Sequence, residues 1–134
     1  MSVRRPRPRL DADNTAFWTG GKEGKLNIVK CGDCGEFTHP PKPLCRHCQS
    51  ENVAPHGVSG RGTVDTYTIN HQAWMPGLEV PFVIARIGLD DAPGVILTSN
   101  VVSCAIEEVD FGDKVQVVFD EQDGIWFPVF EKVR

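Results

Sequence analysis

Four cysteines fall in two pairs, Cys31-x2-Cys34 and Cys45-x2-Cys48, with ten residues between the pairs. Two residues between cysteines let one tight turn aim both sulfurs at a single ion, and two such turns complete a tetrahedron. The spacing predicts a bound metal, with Zn²⁺ ahead of iron because soft thiolates suit both and the donor set is that of a zinc ribbon. Four thiolates leave no coordination position for water, so the expected role is structural. His39 and His47 lie near enough in sequence to replace a cysteine, but the four-cysteine set is complete without them. A redox C-x2-C motif stands singly before a helix in a βαβ unit, whereas two pairs together point to metal. Gly35 follows the first pair, where the returning backbone favours positive φ. The stretch "HPPKP" stiffens the loop between the pairs.

Other chemistry-bearing residues are sparser. Cys104 sits in the apolar "VVSCAI" and reads as an inert buried thiol. His71 follows a strand with no partner suggested by its neighbours. The acidic runs "LDDA", "IEEVD" and "FDEQD" read as solvated loop faces. No G-x-S-x-G, P-loop or dinucleotide motif is present, and no catalytic constellation is expected. The segment "QAWMPGLEVP" carries Trp74, Met75, Leu78 and Val80 among two prolines and a glycine. These residues either fold back over a barrel end or offer an apolar patch to a partner or acyl chain. Phe17 and Trp18 raise the same question, since two adjacent aromatics on one short helix do not easily face one small core. Phe17, Trp18, Trp74, Met75 and Leu78 are the expected partner-binding residues.

The elements that must position these residues divide the chain in three. Residues 1–24 are a basic, Pro-rich arm and a short helix; Asp11, Asp13 or Asn14 is placed to cap it and Gly20-Gly21 to stop it. Residues 25–59 form the ribbon, with "KLNIVK" a short strand feeding the first cysteine pair. Residues 60–134 turn to period two with β-branched residues. Five strands are expected: "GTVDTYTINHQAW", "PFVIARIGL", "GVILTSNVV", "DKVQVVFD" and "IWFPVF". "DDAPG" makes a hairpin loop and "SCAIEEVDFG" has room for one helical turn. The fold class is mainly β: a short N-terminal helix, a rubredoxin-like zinc ribbon and a five-stranded OB-fold barrel, with an SH3-like barrel the nearest competitor. No apolar run approaches the roughly 20 residues of a membrane span. "MSVRRPRPRL" has positive charge without a following apolar region, so it is not expected to be an export signal, and the expected location is cytoplasmic.

Charge is unevenly spread. Residues 1–59 carry 9 Lys+Arg against 6 Asp+Glu, and residues 60–134 carry 5 against 12. Zinc ribbons and OB folds both serve in single-stranded nucleic-acid binding, which is the alternative function, but phosphate contacts need a basic groove. Here the barrel half is acidic. The chain's one clear basic cluster, Arg4, Arg5, Arg7 and Arg9, lies in the arm.

Several stretches together resemble a known family of acyl-CoA-associated proteins that join a helical segment, a rubredoxin-like zinc ribbon and an OB fold. The features are Phe17-Trp18, "GKLNIVKCGDCG", "HPPKPLCRHC", "GRGTVDTYTINH", "VPFVIARIGLD", "FGDKVQVVF" and "WFPVF". Gln49 departs from the family's pattern, where a glycine is common after the second pair. The resemblance implies a non-catalytic accessory subunit, in a hetero-oligomer with a thiolase-like chain: a thiolase, or a thiolase-fold retro-aldolase such as those of steroid side-chain degradation. It implies structural Zn²⁺ and acyl-CoA at the shared site. Because the barrel half repels CoA phosphates, weak CoA contacts are expected only from Lys22, Lys25 and Lys30 or the arm.

Overall fold

A computed structural model describes residues 5–133; Arg4 of the basic cluster lies outside them. The apolar alternation of "LNIVKC" becomes β1 (Leu26–Cys31), with Leu26, Ile28 and Cys31 almost wholly buried. It is the central strand of a three-stranded antiparallel sheet, flanked by β2 (Phe37–Thr38) and β3 (Val53–Val58). Sequence patterning does not find β3, because "VAPHGV" has a proline, a glycine and exposed residues where a strand would alternate. The explanation is its edge position. Ala54 and His56 face their partners on β1, which leaves the nitrogen of Pro55 toward the free edge, where no ladder bond is lost.

Residues from Arg61 onward form the OB barrel through β4 (Arg61–Asn70), β5 (Phe82–Leu89), β6 (Ile96–Ser99), β7 (Val101–Val102), β8 (Lys114–Gln122) and β9 (Ile125–Lys132). The sheet order is β6-β5-β4-β8-β9-β7. The expected third strand is thus broken at Asn100: its first half pairs antiparallel with β5 and its second half parallel with β9, which closes the sheet into a barrel. The expected first strand is shorter than its pattern, because it ends at Asn70. A bulge between Val64 and Thr66 leaves Asp65 unpaired and restores inward facing to Tyr67 and Ile69. The expected helical turn is a 3₁₀ turn at Ile106–Glu108.

The closure is incomplete between β6 and β9. The amide of Phe130 bonds the carbonyl of Asn100, 2.9 Å, so alternate nitrogens of β9 face the third strand. Pro128 occupies the next such position and has no hydrogen to give. Instead its carbonyl accepts from Ser99 Oγ at 2.7 Å. A seam is left there.

Helix α1 (Thr15–Thr19) begins after Asn14 at the N-cap, as expected, although no side-chain capping bond is made. The α-helix stops at Thr19 with Gly20 as its C-cap, as expected of Gly20-Gly21. The chain continues into a 3₁₀ turn, Gly20–Glu23, ended by Gly24 at φ 71°. Gly21 is also needed for contact: a Cβ there would lie 2.6 Å from Phe119 and Trp126. Phe17 and Trp18 do not share one surface, in keeping with the difficulty of packing two adjacent aromatics of one short helix against one small core. The helix lies at the junction of two modules, and successive side chains diverge by about 100°. Phe17 packs near His39 of the ribbon (5.1 Å) and Trp18 edge-on against Phe127 of β9 (5.5 Å). One apolar cluster runs from Phe17, Leu26, Ile28 and Phe37 into the barrel's Val64, Val83, Ile87 and Phe130, so ribbon and barrel share a core.

Candidate metal centre and apolar barrel surfaces

Two tight turns bring the four cysteines together. Cys31 and Cys48 Sγ lie 3.6 Å apart, as do those of Cys34 and Cys45, and all four lie within 4.8 Å of one another. A tetrahedron with metal–sulfur bonds of about 2.3 Å has sulfur–sulfur edges of about 3.8 Å. The donor set therefore fits a tetrahedral, thiolate-preferring ion without rearrangement. Among the described residues this is the one group of three or more His, Cys, Asp or Glu side chains placed to share an ion; His39 and His47 are not in it.

The turns also prepare the first sulfur of each pair, while Cys34 and Cys48 are held above their ordinary pKa. The amides of Cys34 and Asp33 point at Cys31 Sγ, both at 3.4 Å, and hold that thiol below its ordinary pKa. The amides of Cys48 and His47 do the same for Cys45, at 3.5 and 3.3 Å, and bring it down to about 6. Donated N–H groups favour the ligand form, the thiolate. The turns are alike in backbone: Gly35 N–H returns to Cys31 O at φ 78°, and Gln49 N–H returns to Cys45 O at φ 64°. Gln49 thus holds a left-handed conformation that a side chain disfavours. Gln49→Gly is expected to raise stability by about 0.5–1 kcal/mol with metal content unchanged, measured by urea unfolding.

Sequence reading missed the residues that join the turns. Asp33, inside the first pair, accepts hydrogen bonds from Ser50 Oγ and from Asn52 Nδ2 (3.0 Å) just beyond the second. Buried Thr38 Oγ1 receives Arg46 N–H at 3.2 Å, and Arg46 Nη2 reaches Gly94 O of the β5–β6 turn at 3.0 Å. No spacing rule marks these residues, because each is recognised only by where its partner lies after folding.

His39 stands over Phe17 with Nδ1 enclosed and unpartnered. Burial, then the nearby Arg46 charge, lowers its pKa to about 4. The folded state therefore takes up this proton later than the unfolded state does. Stability from neutral His39 is full above pH about 6.5 and is lost as pH falls toward 4, by about 1–2 kcal/mol after allowance for partial exposure. His39→Phe is expected to lose less stability than the parent between pH 7 and 5; equal losses in matched urea titrations would refute the assignment.

Two apolar cavities flank the seam. One, about 390 Å³, is walled by Phe17, Trp18, His39, Leu97 and Phe127. The other, about 210 Å³, lies at the barrel end between Met75 and Leu78 of the β4–β5 loop and Cys104 and Ile106 of the β7–β8 loop. Arg5 borders both: its Nη1 bonds Asn100 Oδ1 (2.7 Å), its Nε faces Asp120 (3.4 Å), and its guanidinium lies 5.7 Å from the Phe127 ring. The arm is thus laid on the barrel from Arg5, with Arg7 Nη1 on Asp123 O at 2.6 Å.

The five apolar residues singled out by sequence separate accordingly. Phe17 is interior, Trp18 half-buried, and Met75 and Leu78 line the barrel-end cavity. Trp74 is 76% exposed, and its indole N–H is held by Asn70 Oδ1 at 2.9 Å. The three lysines do not converge. Lys22 and Lys25 are exposed before β1, whereas Lys30, near its far end, lies 5.4 Å from the Phe37 ring. His71 is exposed and Cys104 half-buried. No described helix is long and apolar enough to cross a membrane.

Fold and centre together define a zinc-ribbon and OB-fold protein whose modules share one core. Family models match in the same order: the ChsH2 rubredoxin-like zinc ribbon domain over residues 18–54 and the ChsH2 C-terminal OB-fold domain over residues 56–120. The chain is 33% identical, over 72% of each chain, to a DUF35 domain-containing scaffold protein of Methanocaldococcus jannaschii, and it belongs to the DUF35 family. It is also similar to two hydratase subunits. Over 94% of its length it is 33% identical to the probable enoyl-CoA hydratase alpha subunit of Thermomonospora curvata. Over 63% it is 38% identical to the 3-oxo-4,17-pregnadiene-20-carboxyl-CoA hydratase alpha subunit of Mycobacterium tuberculosis. The chain spans 39% and 27% of those two relatives. Among solved structures it is similar to the Ltp2-ChsH2(DUF35) aldolase, at 30% identity and a TM-score of 0.83, covering 94% of this chain and 98% of that one.

Proposed function

We propose that the chain is a non-catalytic accessory subunit of a thiolase-like enzyme, a thiolase or retro-aldolase, that acts on acyl-CoA thioesters. The observation that carries this reading is the likeness, along almost the whole chain, to a chain of the ChsH2(DUF35) aldolase. The metal centre supports it: four thiolates fill a tetrahedral ion, and Zn²⁺ held there fixes the ribbon against the barrel and leaves no position for substrate. Trp74, Met75, Leu78 and the exposed edge of Trp18 are the partner-facing groups. The partner supplies most CoA contacts, with Lys22, Lys25 and Lys30 contributing weakly, because the acidic barrel repels phosphate. The reducing cytoplasm is the compartment in which four unpaired thiols keep their metal.

The test is a tagged pull-down from the native host at moderate salt, read by mass spectrometry. A thiolase-like chain in near-stoichiometric amount is the expected result. Nucleic acid that is lost as salt rises would replace this reading with the single-stranded nucleic-acid one. Calorimetry with CoA and the isolated chain is expected to show no low-micromolar binding.

A further inference from the structure

The acidity of the barrel is concentrated. From Gly62 to Asp113 the chain carries eight Asp+Glu, and Arg86 is the one Lys or Arg. Arg86 stands exposed on the outer face of β5, level with Thr66 and Thr98, whereas Tyr67 packs against the core from the inner face. The barrel end is where the β4–β5 and β7–β8 loops meet around the smaller cavity. These loops bring Glu79, Glu107 and Asp110, all exposed and, among the described residues, in no ion pair. Neither loop supplies a cation, and the two that approach from outside are engaged: Arg5 at the cavity's border with Asn100 and Asp120, and Lys132 with Glu108 O and Asp113.

The same loops carry the most exposed large apolar groups among the described residues. Trp74 is 76% exposed and Phe111 63%, with Met75 and Val80 beside Trp74 in the first loop. Neither ring is loose. Trp74 is held through its N–H by Asn70, and Phe111 packs on Tyr67 with ring centroids 5.0 Å apart. Trp74 thus has its polar atom satisfied within the chain and its hydrocarbon in water. An aromatic fixed in place loses little entropy on docking, and such residues dominate interface energies.

We propose that this barrel end is a docking surface for a protein face with an apolar centre ringed by Lys and Arg. The charge selects the occupant. Phosphate of CoA, nucleic acid or an anionic lipid surface is repelled here, and a second copy of this chain would set acid against acid. The proposal rests on the accessory-subunit reading and adds to it which face docks and what the opposing face is made of.

Two arms test it. In the first, the full-length, metal-loaded chain associates with the thiolase-like subunit recovered from the host. Trp74→Ala is expected to weaken the complex at least tenfold. The combined Glu79→Lys, Glu107→Lys and Asp110→Lys variant is expected to slow association about tenfold at low salt and flatten its salt dependence. Metal content and circular dichroism should stay as in the parent. Parental rate and affinity in both variants would overturn the proposal while leaving the accessory-subunit reading intact. The second arm needs no partner. An amphipathic Leu/Lys peptide is expected to shift the amides of residues 73–79 and 107–111 in NMR spectra, and its Leu/Glu counterpart is not. Shifts elsewhere, or none, would overturn the proposal. Should the parent bind no thiolase-like chain, the accessory-subunit reading fails, and the peptide arm alone decides this one.

Discussion

Cys45→Ser is expected to reduce bound metal from about one ion per chain to near zero and to lower the melting temperature by on the order of 10–20 °C. Three observations set that size. The Cys45 side chain is 1% exposed, so its sulfur has no water to replace the ion as a partner. It already receives two amide hydrogens, a geometry arranged for a thiolate. The ribbon it closes is small: β2 has two residues, and the segment between Thr38 and Val53 has no strand of its own. Structural Zn²⁺ sites of this kind carry apparent binding energies of about 10–16 kcal/mol, much of which is folding energy. The loss reaches the barrel because Leu26, Ile28 and Phe37 belong to the same apolar cluster as Val64 and Phe130. Metal analysis and calorimetry check this, with Cys104→Ser as a control that keeps its metal. A Cys45→Ser chain with parental metal content and melting would refute the structural role of the centre.

The metal centre was legible in the sequence because its chemistry is local. Ligand identity and a two-residue spacing suffice to fold each turn, whatever the rest of the chain does. The positive φ anticipated at Gly35 is found there, and Gln49 repeats it without a glycine to signal it. The barrel strands were legible for a related reason, since period-two alternation with β-branched residues records which face is buried. The pattern cannot record a change of pairing partner. "GVILTSNVV" reads as one strand, and only the third dimension shows that Asn100 divides it between β5 and β9. That Phe17 and Trp18 would not share one small core was legible from the helix, but which surface each meets, ribbon or barrel, is a fact about assembly and not about the helix. β3 was invisible because an edge strand with one ladder and one wet face keeps neither the alternation nor the exclusion of proline on which strand patterns rest.

Asn100 is the residue least marked in the sequence and most tied into the seam. Its Nδ2 donates to Val83 O and its Oδ1 accepts from Arg5 Nη1, each at 2.7 Å, while its own carbonyl receives the amide of Phe130. It thereby fixes the strand at its change of partner and anchors the arm across the gap that Pro128 leaves. Asn100→Leu removes both side-chain bonds, leaving Val83 O on β5 without its donor and Arg5 Nη1 without its acceptor, although Arg5 keeps Asp120. Each half-buried group left unpaired costs about 1–3 kcal/mol, so a loss of about 2–4 kcal/mol in urea unfolding is expected. Arg5→Ala breaks only the arm's side of this arrangement and is expected to cost about 1 kcal/mol, because its carboxylate partner Asp120 is also within reach of Gln122 Nε2 at 3.1 Å. The two changes share a bond, so the double variant should fall short of their sum. Hydrogen exchange supplies the local readout: the Phe130 amide should exchange faster in Asn100→Leu than in Arg5→Ala. If both single variants lose the same stability and protect Phe130 equally, then the arm and not Asn100 holds the seam.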